Sequence, residues 1–303
     1  VPVGIYNGNA AKLVEDIQIL KPTAVCAVPR IFQRIYDAIV KKVDSQSSIV
    51  RKIFQKAIKM KIKDYLETGM YRNILFDNLI FKEVRKSFGG RLRCMLVGSA
   101  PMDGEILNFL RCSLSVEIME GYGQTEDVAG VLLSNTCDPV TQHLGGPGWW
   151  TELKLVDQPD LGYTVKNIDK ETGKSRPSGE LCVRGTSVFK GYFRAPEKTK
   201  EVLDKDGWLH SGDIAMIIPE HGNAFRIVDR VKNLFKLQQG EYISPEKVEG
   251  IYEKCKYIEQ IFIYGNSLKN YLVCIVHPNA DDIINYLKSK GINNDDILNG
   301  IQY

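Results

Sequence analysis

Apolar positions in the first third of the chain follow two alternating periods. Between Ala10 and Leu20, Leu13, Ile17 and Leu20 recur every three or four residues, the spacing of one helix face. Lys21-Pro-Thr23 breaks that pattern, and the continuous apolar run Ala24-Val-Cys-Ala-Val28 predicts a buried strand. From Ile31 to Glu83 the spacing is mostly helical and rich in lysine, with the lysines between Lys41 and Lys63 expected on solvated faces. Gly89-Gly90 ends this stretch ahead of a second buried strand, Cys94-Met-Leu-Val97. The unit then repeats, with a helix over Leu107 to Arg111 and a strand over Glu117 to Met119. Strands alternating with helices predict a largely parallel sheet.

After about Leu144 the texture changes. Gly145-Gly-Pro-Gly148 opens a region of short strand patterns, among them Glu152 to Val156, Gly179 to Arg184 and Phe225 to Val228, separated by Gly and Pro. A small β-rich subdomain, at about residues 145–228, follows from this. Beyond Lys232, Pro245-Glu-Lys-Val-Glu249 marks a helix start, and Gln260 to Tyr264 and Tyr271 to Val276 read as two strands around a Gly265-Asn-Ser turn, an α+β piece.

Composition narrows the function classes. With 303 residues, 44% hydrophobic and 25% charged, the chain has ample material for a core, enough for one large domain and a smaller one. A formal charge of +3 gives no footprint for nucleic acid. The seven cysteines are scattered without CxxC spacing, so neither a disulfide framework nor a zinc cage is indicated and a reducing compartment is expected. No apolar run approaches the roughly 20 residues of a membrane span; Ile214-Ala-Met-Ile-Ile218 is strand-sized. Val1-Pro-Val-Gly4 carries neither an initiating methionine nor signal-peptide character, so a piece of a longer polypeptide is expected.

Candidate chemistry concentrates in four segments. Glu120-Gly-Tyr-Gly-Gln-Thr-Glu-Asp127 follows an apolar strand; its glycines permit close backbone approach to a flat ring, Thr125 offers a hydroxyl to a phosphate, and Glu126 offers an oxygen to Mg²⁺. Such a turn is equally compatible with a purely structural role. Val97-Gly-Ser-Ala-Pro-Met102 is a second small-residue loop after a strand, and loops at the carboxyl ends of neighbouring strands converge on one crevice. In Gly207-Trp-Leu-His-Ser-Gly-Asp213 the carboxylate of Asp213 could accept both hydroxyls of a ribose, or the Gly-Asp pair could be an ordinary turn. The segment Ile227 to Glu249 places Arg230, Lys232 and Lys236 where basic side chains could reach phosphates. His143, His210, His221 and His277 form no recognisable ligand spacing and are expected to be structural.

In order and spacing these segments resemble the adenylate-forming superfamily of AMP-forming acyl-CoA synthetases, luciferases and peptide-synthetase adenylation domains. They are most similar to long-chain fatty acyl-CoA synthetases. Pro22-Thr23, Val28-Pro-Arg30, Gly179-Glu-Leu181, Arg184-Gly185, Gly191-Tyr192 and Lys236-Leu-Gln-Gln-Gly-Glu-Tyr-Ile243 add to the resemblance. It implies an α/β fold: residues 1–230 as the C-terminal part of a large adenylation domain, a mostly parallel sheet with helices plus a small β-barrel-like subdomain, and residues 231–303 as a truncated α+β domain after a hinge. It implies a two-step ligase using ATP, Mg²⁺ and coenzyme A to activate a fatty acid, with another acyl- or aryl-adenylating ligase, or a non-catalytic nucleotide-binding module, as alternatives.

By the same resemblance Gly98, Ser99, Ala100, Gly121 and Tyr122 would line the adenine site, with the Tyr122 ring stacked on the base, and Gly123 and Gln124 would also belong to the cofactor-binding residues. Thr125 would hold the α-phosphate, Glu126 the Mg²⁺, and Asp213 with Arg230 the ribose. Lys232 would be the hinge, and Lys236 would face the site during thioester formation. The family's Pro-Lys-Gly phosphate loop and its C-terminal catalytic lysine have no counterpart, Lys288 and Lys290 lying on a helical pattern, so this stretch alone is expected to be inactive. A cytoplasmic protein is expected, with room for peripheral contact at the cytosolic face of a membrane through other regions.

Overall fold

A computed structural model describes residues 3–5, 8, 12–231, 242–265 and 269–291, and the backbone of residues 235–236. Helix α1 (Leu13–Leu20) leads into β1 (Ala24–Ala27), followed by α2 (Pro29–Asp44), α3 (Ser48–Thr68), α4 (Ile74–Leu79) and α5 (Lys82–Lys86). Then come β2 (Cys94–Val97), α6 (Gly104–Leu114), β3 (Glu117–Tyr122), β4 (Leu132–Leu133) and β5 (Gly146–Pro147). These five strands form one sheet in the order β1-β2-β3-β4-β5, parallel across the first three and antiparallel beyond. The chain next builds β6 (Thr151–Val156), β7 (Ser178–Gly185), α7 (Pro196–Val202), β8 (Leu209–Ile218) and β9 (Ala224–Arg230). Its strands form a four-stranded antiparallel sheet in sequence order. Last come the paired β10 (Phe235–Lys236) and β11 (Tyr242–Ile243), α8 (Pro245–Tyr252), the antiparallel pair β12 (Ile258–Gly265) and β13 (Leu272–Pro278), and α9 (Ala280–Ser289).

Local chemistry sets the helix limits. Asp103 caps α6 by accepting from the amides of Glu105 and Ile106, Ser47 caps α3 by accepting from Val50, and Gly69 ends α3 in the left-handed region at φ 74°. The main core joins Phe32, Ile35 and Ile39 of α2, Phe54 and Tyr65 of α3, and Leu107 and Leu110 of α6 to Met95 and Val97 of β2. A second core, of Val131, Leu132, Leu181, Val183, Leu209 and Ala215, lies against the antiparallel sheet, and Tyr122 packs onto it from the end of β3. The nucleotide-type turn thus sits where the two cores meet.

Three expectations need correction. The Ala24–Ala27 strand is not buried: among the described strands it pairs only with β2, and its side chains alternate between exposed and half-buried, as befits a sheet edge. Not every lysine of the helical stretch is solvated. Lys61 falls in the stripe Phe54, Ala57, Ile58, Lys61, Tyr65 that turns α3 inward and is 2% exposed, its ammonium bound to Asp77. The histidines also include one, His210, that stands in a cluster of ligand-type side chains with Glu180 and Cys182.

Candidate active site

Parallel pairing of β2 with β3 puts their following loops side by side. Gly98 and Gly121 approach so closely that a Cβ built on Gly98 would lie 3.1 Å from the Gly121 carbonyl oxygen. Ser99 follows in the left-handed region at φ 73°, an uncommon conformation for a residue with a side chain, and with Ala100 completes the first loop. In the second loop Thr125–Asp127 form a short 3₁₀ turn closed reciprocally: the Gln124 amide donates to Asp127 Oδ1 at 2.7 Å and the Gln124 side chain accepts from the Asp127 amide.

Glycine at 123 is required by space. A Cβ there would lie 2.5 Å from the Ala129 carbonyl carbon and 2.6 Å from the Gly130 nitrogen, both backbone atoms that cannot swing away. Gly123→Ala is therefore expected to destabilise the chain by about 1–3 kcal/mol, the usual cost of overpacking. Gly130→Ala, which meets nothing within 4 Å, should be nearly neutral. Parallel thermal melts check this; equal shifts for the two variants would contradict the steric account.

Asp213 reaches the same place from β8. Its Oδ2 accepts from the Tyr122 hydroxyl at 2.6 Å and its Oδ1 from Arg230 Nε at 2.9 Å, while the carboxylate is largely buried and the guanidinium largely exposed. Register explains the meeting, since Asp213 and Arg230 are direct partners across β8 and β9. Burial, and then the neighbouring Asp213 charge, push the Tyr122 hydroxyl well above its ordinary pKa, so it acts as a donor. The Asp213 carboxylate raises the Arg230 guanidinium further.

A bulge aims Asp213. Between the pairs Glu180–Ile214 and Cys182–His210, β7 has one residue and β8 has three, Ser211, Gly212 and Asp213. Gly212 supplies the left-handed turn at φ 72° and donates its amide to Glu180 Oε1 at 3.1 Å. The Ser211 hydroxyl donates to the Leu181 carbonyl at 2.6 Å and accepts from the Asp213 amide at 3.1 Å.

Around the turn, Glu126 Oε1 accepts from the Tyr192 hydroxyl at 2.7 Å, and the Glu126 carbonyl accepts from the Phe189 amide at 2.8 Å. Asp127, fully buried beneath them, has its carboxyl pushed up to about 6, by burial first and then by the charges of Glu126 and Asp213. Burial likewise raises Glu120, which accepts the Gln142 amide at 3.1 Å, to about 7.

The structure therefore brings Tyr122, Asp213 and Arg230 into contact, and sets Gly98 against Gly121. Lys232 lies outside the described residues, and of Lys236 only the backbone pairing with Tyr242 is described. Sequence reasoning missed Tyr192 as the partner of Glu126, Asp127 as the lock of the turn, and Glu180 as the anchor of the bulge. Tyr192 had a signal, lying in the Gly191-Tyr192 pair already noted; the other two depend on a reciprocal cap and a cross-strand register.

Comparison with known proteins identifies the family and the fold. The family model described as "AMP-binding enzyme" matches residues 2–193. Long chain acyl-CoA synthetase 7, peroxisomal, of Arabidopsis thaliana is 40% identical over 292 residues, covering 96% of this chain and 40% of that protein. Long-chain-fatty-acid–CoA ligase 1 of Homo sapiens is 39% identical over 290 residues, covering 95% of this chain and 40% of that protein. The chain thus spans about 40% of the length of these relatives. Among solved structures, the adenylation domain of a carboxylate reductase from Mycobacterium chelonae superposes with TM-score 0.66 at 31% identity, over 95% of this chain and 39% of that one. The A domain of a carboxylic acid reductase from Segniliparus rugosus, in complex with AMP and a co-purified carboxylic acid, gives 0.64 at 27% identity, over 96% and 43%. With a family match across more than half its length and the adenylation-domain fold, the chain belongs to the AMP-binding enzyme family.

Proposed function

We propose that this chain is part of a long-chain fatty acyl-CoA synthetase and carries its adenosine-binding face. The observation that carries this reading is the Tyr122–Asp213–Arg230 contact beside the Gly98 and Gly121 loops: a shielded carboxylate, held from two sides, next to two glycine loops that approach each other closely. In the proposed reaction a fatty-acid carboxylate attacks the α-phosphorus of ATP and displaces pyrophosphate; the thiol of coenzyme A then displaces AMP and forms the thioester. Asp213 accepts the ribose hydroxyls, Arg230 holds the carboxylate charged, and the Tyr122 ring offers its face to adenine. The Thr125 hydroxyl donates to an α-phosphate oxygen. Positioning and charge stabilisation suffice for phosphoryl chemistry, and no side-chain nucleophile is needed.

Mg²⁺ is assigned to Glu126. A single outward carboxylate, steadied by Tyr192 through one oxygen, fits an ion that takes one or two protein carboxylates and completes its shell with phosphate and water. When bound, the ion would neutralise phosphate charge. We further assign residues 1–230 to the large adenylation domain, residues 145–228 to its β-rich part and residues 231–303 to the terminal domain, with Lys232 as hinge and Lys236 serving the thioester step. The relatives' names support the long-chain substrate. No described helix is long and apolar enough to cross a membrane. The proposed location is cytoplasmic, at a membrane's cytosolic face where long-chain acids partition.

AMP binding to this chain tests the reading. At about 100 times its dissociation constant a ligand stabilises by about 2.7 kcal/mol, enough to raise the melting temperature by roughly 5 °C. A melting curve unmoved by millimolar AMP would remove the adenosine assignment.

A further inference from the structure

On the β7–β8 sheet the pairing Cys182–His210 sets a thiol opposite an imidazole, and Glu180, two residues before Cys182, shares their face. Cys182 Sγ lies 3.5 Å and Glu180 Oε2 3.1 Å from His210 Nδ1, and all three ligand atoms fall within 4.8 Å of one another. We propose that Glu180, Cys182 and His210 form a binding site for a thiophilic divalent cation of the Zn²⁺ class, separate from the nucleotide-facing groups.

The spacing suits the ion. A tetrahedral centre with Zn–S of about 2.3 Å and Zn–N or Zn–O of about 2.0–2.2 Å requires S···N edges of roughly 3.5 Å and N···O edges of roughly 3.4 Å. The first is already present and the second needs the oxygen to recede by roughly 0.3 Å, the fourth position falling to water. Sulfur and imidazole donors favour Zn²⁺ over Mg²⁺ or Ca²⁺, which take oxygen.

The surroundings are those of a metal-binding histidine. With Nδ1 turned to the thiol and Glu180, the opposite nitrogen Nε2 lies 3.8 Å from Asp204 Oδ2, beyond direct hydrogen-bond distance but on the side where an outer carboxylate would orient the ring of a ligating histidine. Asp204 is itself fixed, its Oδ1 accepting from the amides of Asp206 and Trp208 at 2.9 and 2.8 Å. Lys154, opposite Cys182 on β6, is engaged over the Trp208 ring at 4.3 Å and lies 3.9 Å from Asp204 Oδ2. Cys182 is buried while His210 is about one-third exposed, so the ion would enter from the imidazole side. On binding, the thiol loses its proton to solvent and a sulfur–metal bond forms, with no change of oxidation state. Glu180 Oε1 keeps its bond to the Gly212 amide, so occupancy would brace the bulge.

The probe is Co²⁺, whose thiolate bond gives a charge-transfer absorption, followed by displacement with Zn²⁺, on the whole chain. The expected result is one equivalent of Co²⁺ with a thiolate band, bleached by equimolar Zn²⁺. The band should vanish in Cys182→Ser and persist in Cys137→Ser, which alters an exposed thiol. His210→Gln should weaken Zn²⁺ binding by at least about 10-fold, since even loss of an outer partner typically costs about 10- to 100-fold. Absence of the band in the unmodified chain, or its survival in Cys182→Ser, overturns the proposal. Should Cys182→Ser fail to fold, His210→Gln decides: unchanged Zn²⁺ affinity in that variant overturns it as well.

Discussion

Lys61→Met is expected to lower stability by about 3–5 kcal/mol, the typical cost of removing one partner of a buried ion pair, and the melting temperature by roughly 10 °C. The ammonium donates to Asp77 Oδ1 at 2.5 Å, the Cys112 carbonyl at 2.6 Å and Ser115 Oγ at 3.0 Å, and lies 4.9 Å from the Phe81 ring centre. Methionine fills much of the same volume but leaves the buried Asp77 carboxylate without its paired ammonium, with, among the described residues, only the Ser115 hydroxyl and the Asn73 amide donating to it and Arg85 bound to its backbone carbonyl instead. Asp77 also holds the start of α4, accepting the Asn73 amide at 3.0 Å, so the damage should spread to the α4–α5 corner. Adding Asp77→Asn, which removes the stranded charge and keeps an acceptor, should restore part of the loss. Calorimetry on both variants separates a charge effect from simple loss of packing: a double variant no better than Lys61→Met alone would mean that the charge is not the issue.

Asp213→Ala is expected to weaken AMP binding by about 10- to 100-fold, because hydrogen bonds to a charged group contribute about 1.5–3 kcal/mol. It removes the acceptor proposed for the ribose and strands Tyr122 and Arg230 together. Tyr122→Phe removes only one of the two side-chain donors that hold the carboxylate, so its effect on affinity should be smaller. Titration calorimetry with AMP and with inorganic phosphate distinguishes ribose recognition from a general effect of charge. If Asp213→Ala binds AMP as the unmodified chain does, the carboxylate serves only to pin Tyr122 and Arg230.

Much of this architecture was readable in residue spacing because it is local. Cys94–Val97 stands as a strand because a short apolar run lies between Gly89-Gly90 and a small-residue loop, and the pattern around Glu117 repeats it. The turn after β3 could be recognised from Gly121 and Gly123, whose lack of a side chain matters where two loops touch. Burial was less accessible. The Ala24–Ala27 run has the composition of a buried strand but lies at an edge, and Lys61 looks like its solvated neighbours until α3 is rotated against Asp77 and Ser115. Contacts set by register were beyond reach: Cys182 and His210 meet because they pair directly across β7 and β8, and Glu180 joins them from the same face.

The extra residues that β8 carries opposite β7 govern which insertions and deletions the strand can survive. One residue of β7 faces three of β8, so the surplus is two, an even number that leaves side-chain alternation in phase on either side of the bulge. Leu209 and Ala215 consequently enter the same core although the bulge separates them. Losing or gaining a single residue between Ser211 and Asp213 would turn one of the flanking segments inside out, exposing its apolar side and burying its polar one. Length change at this loop is therefore quantised in pairs, and a pairwise deletion that spares the core would still remove the kink that points the buried carboxylate at Tyr122 and Arg230.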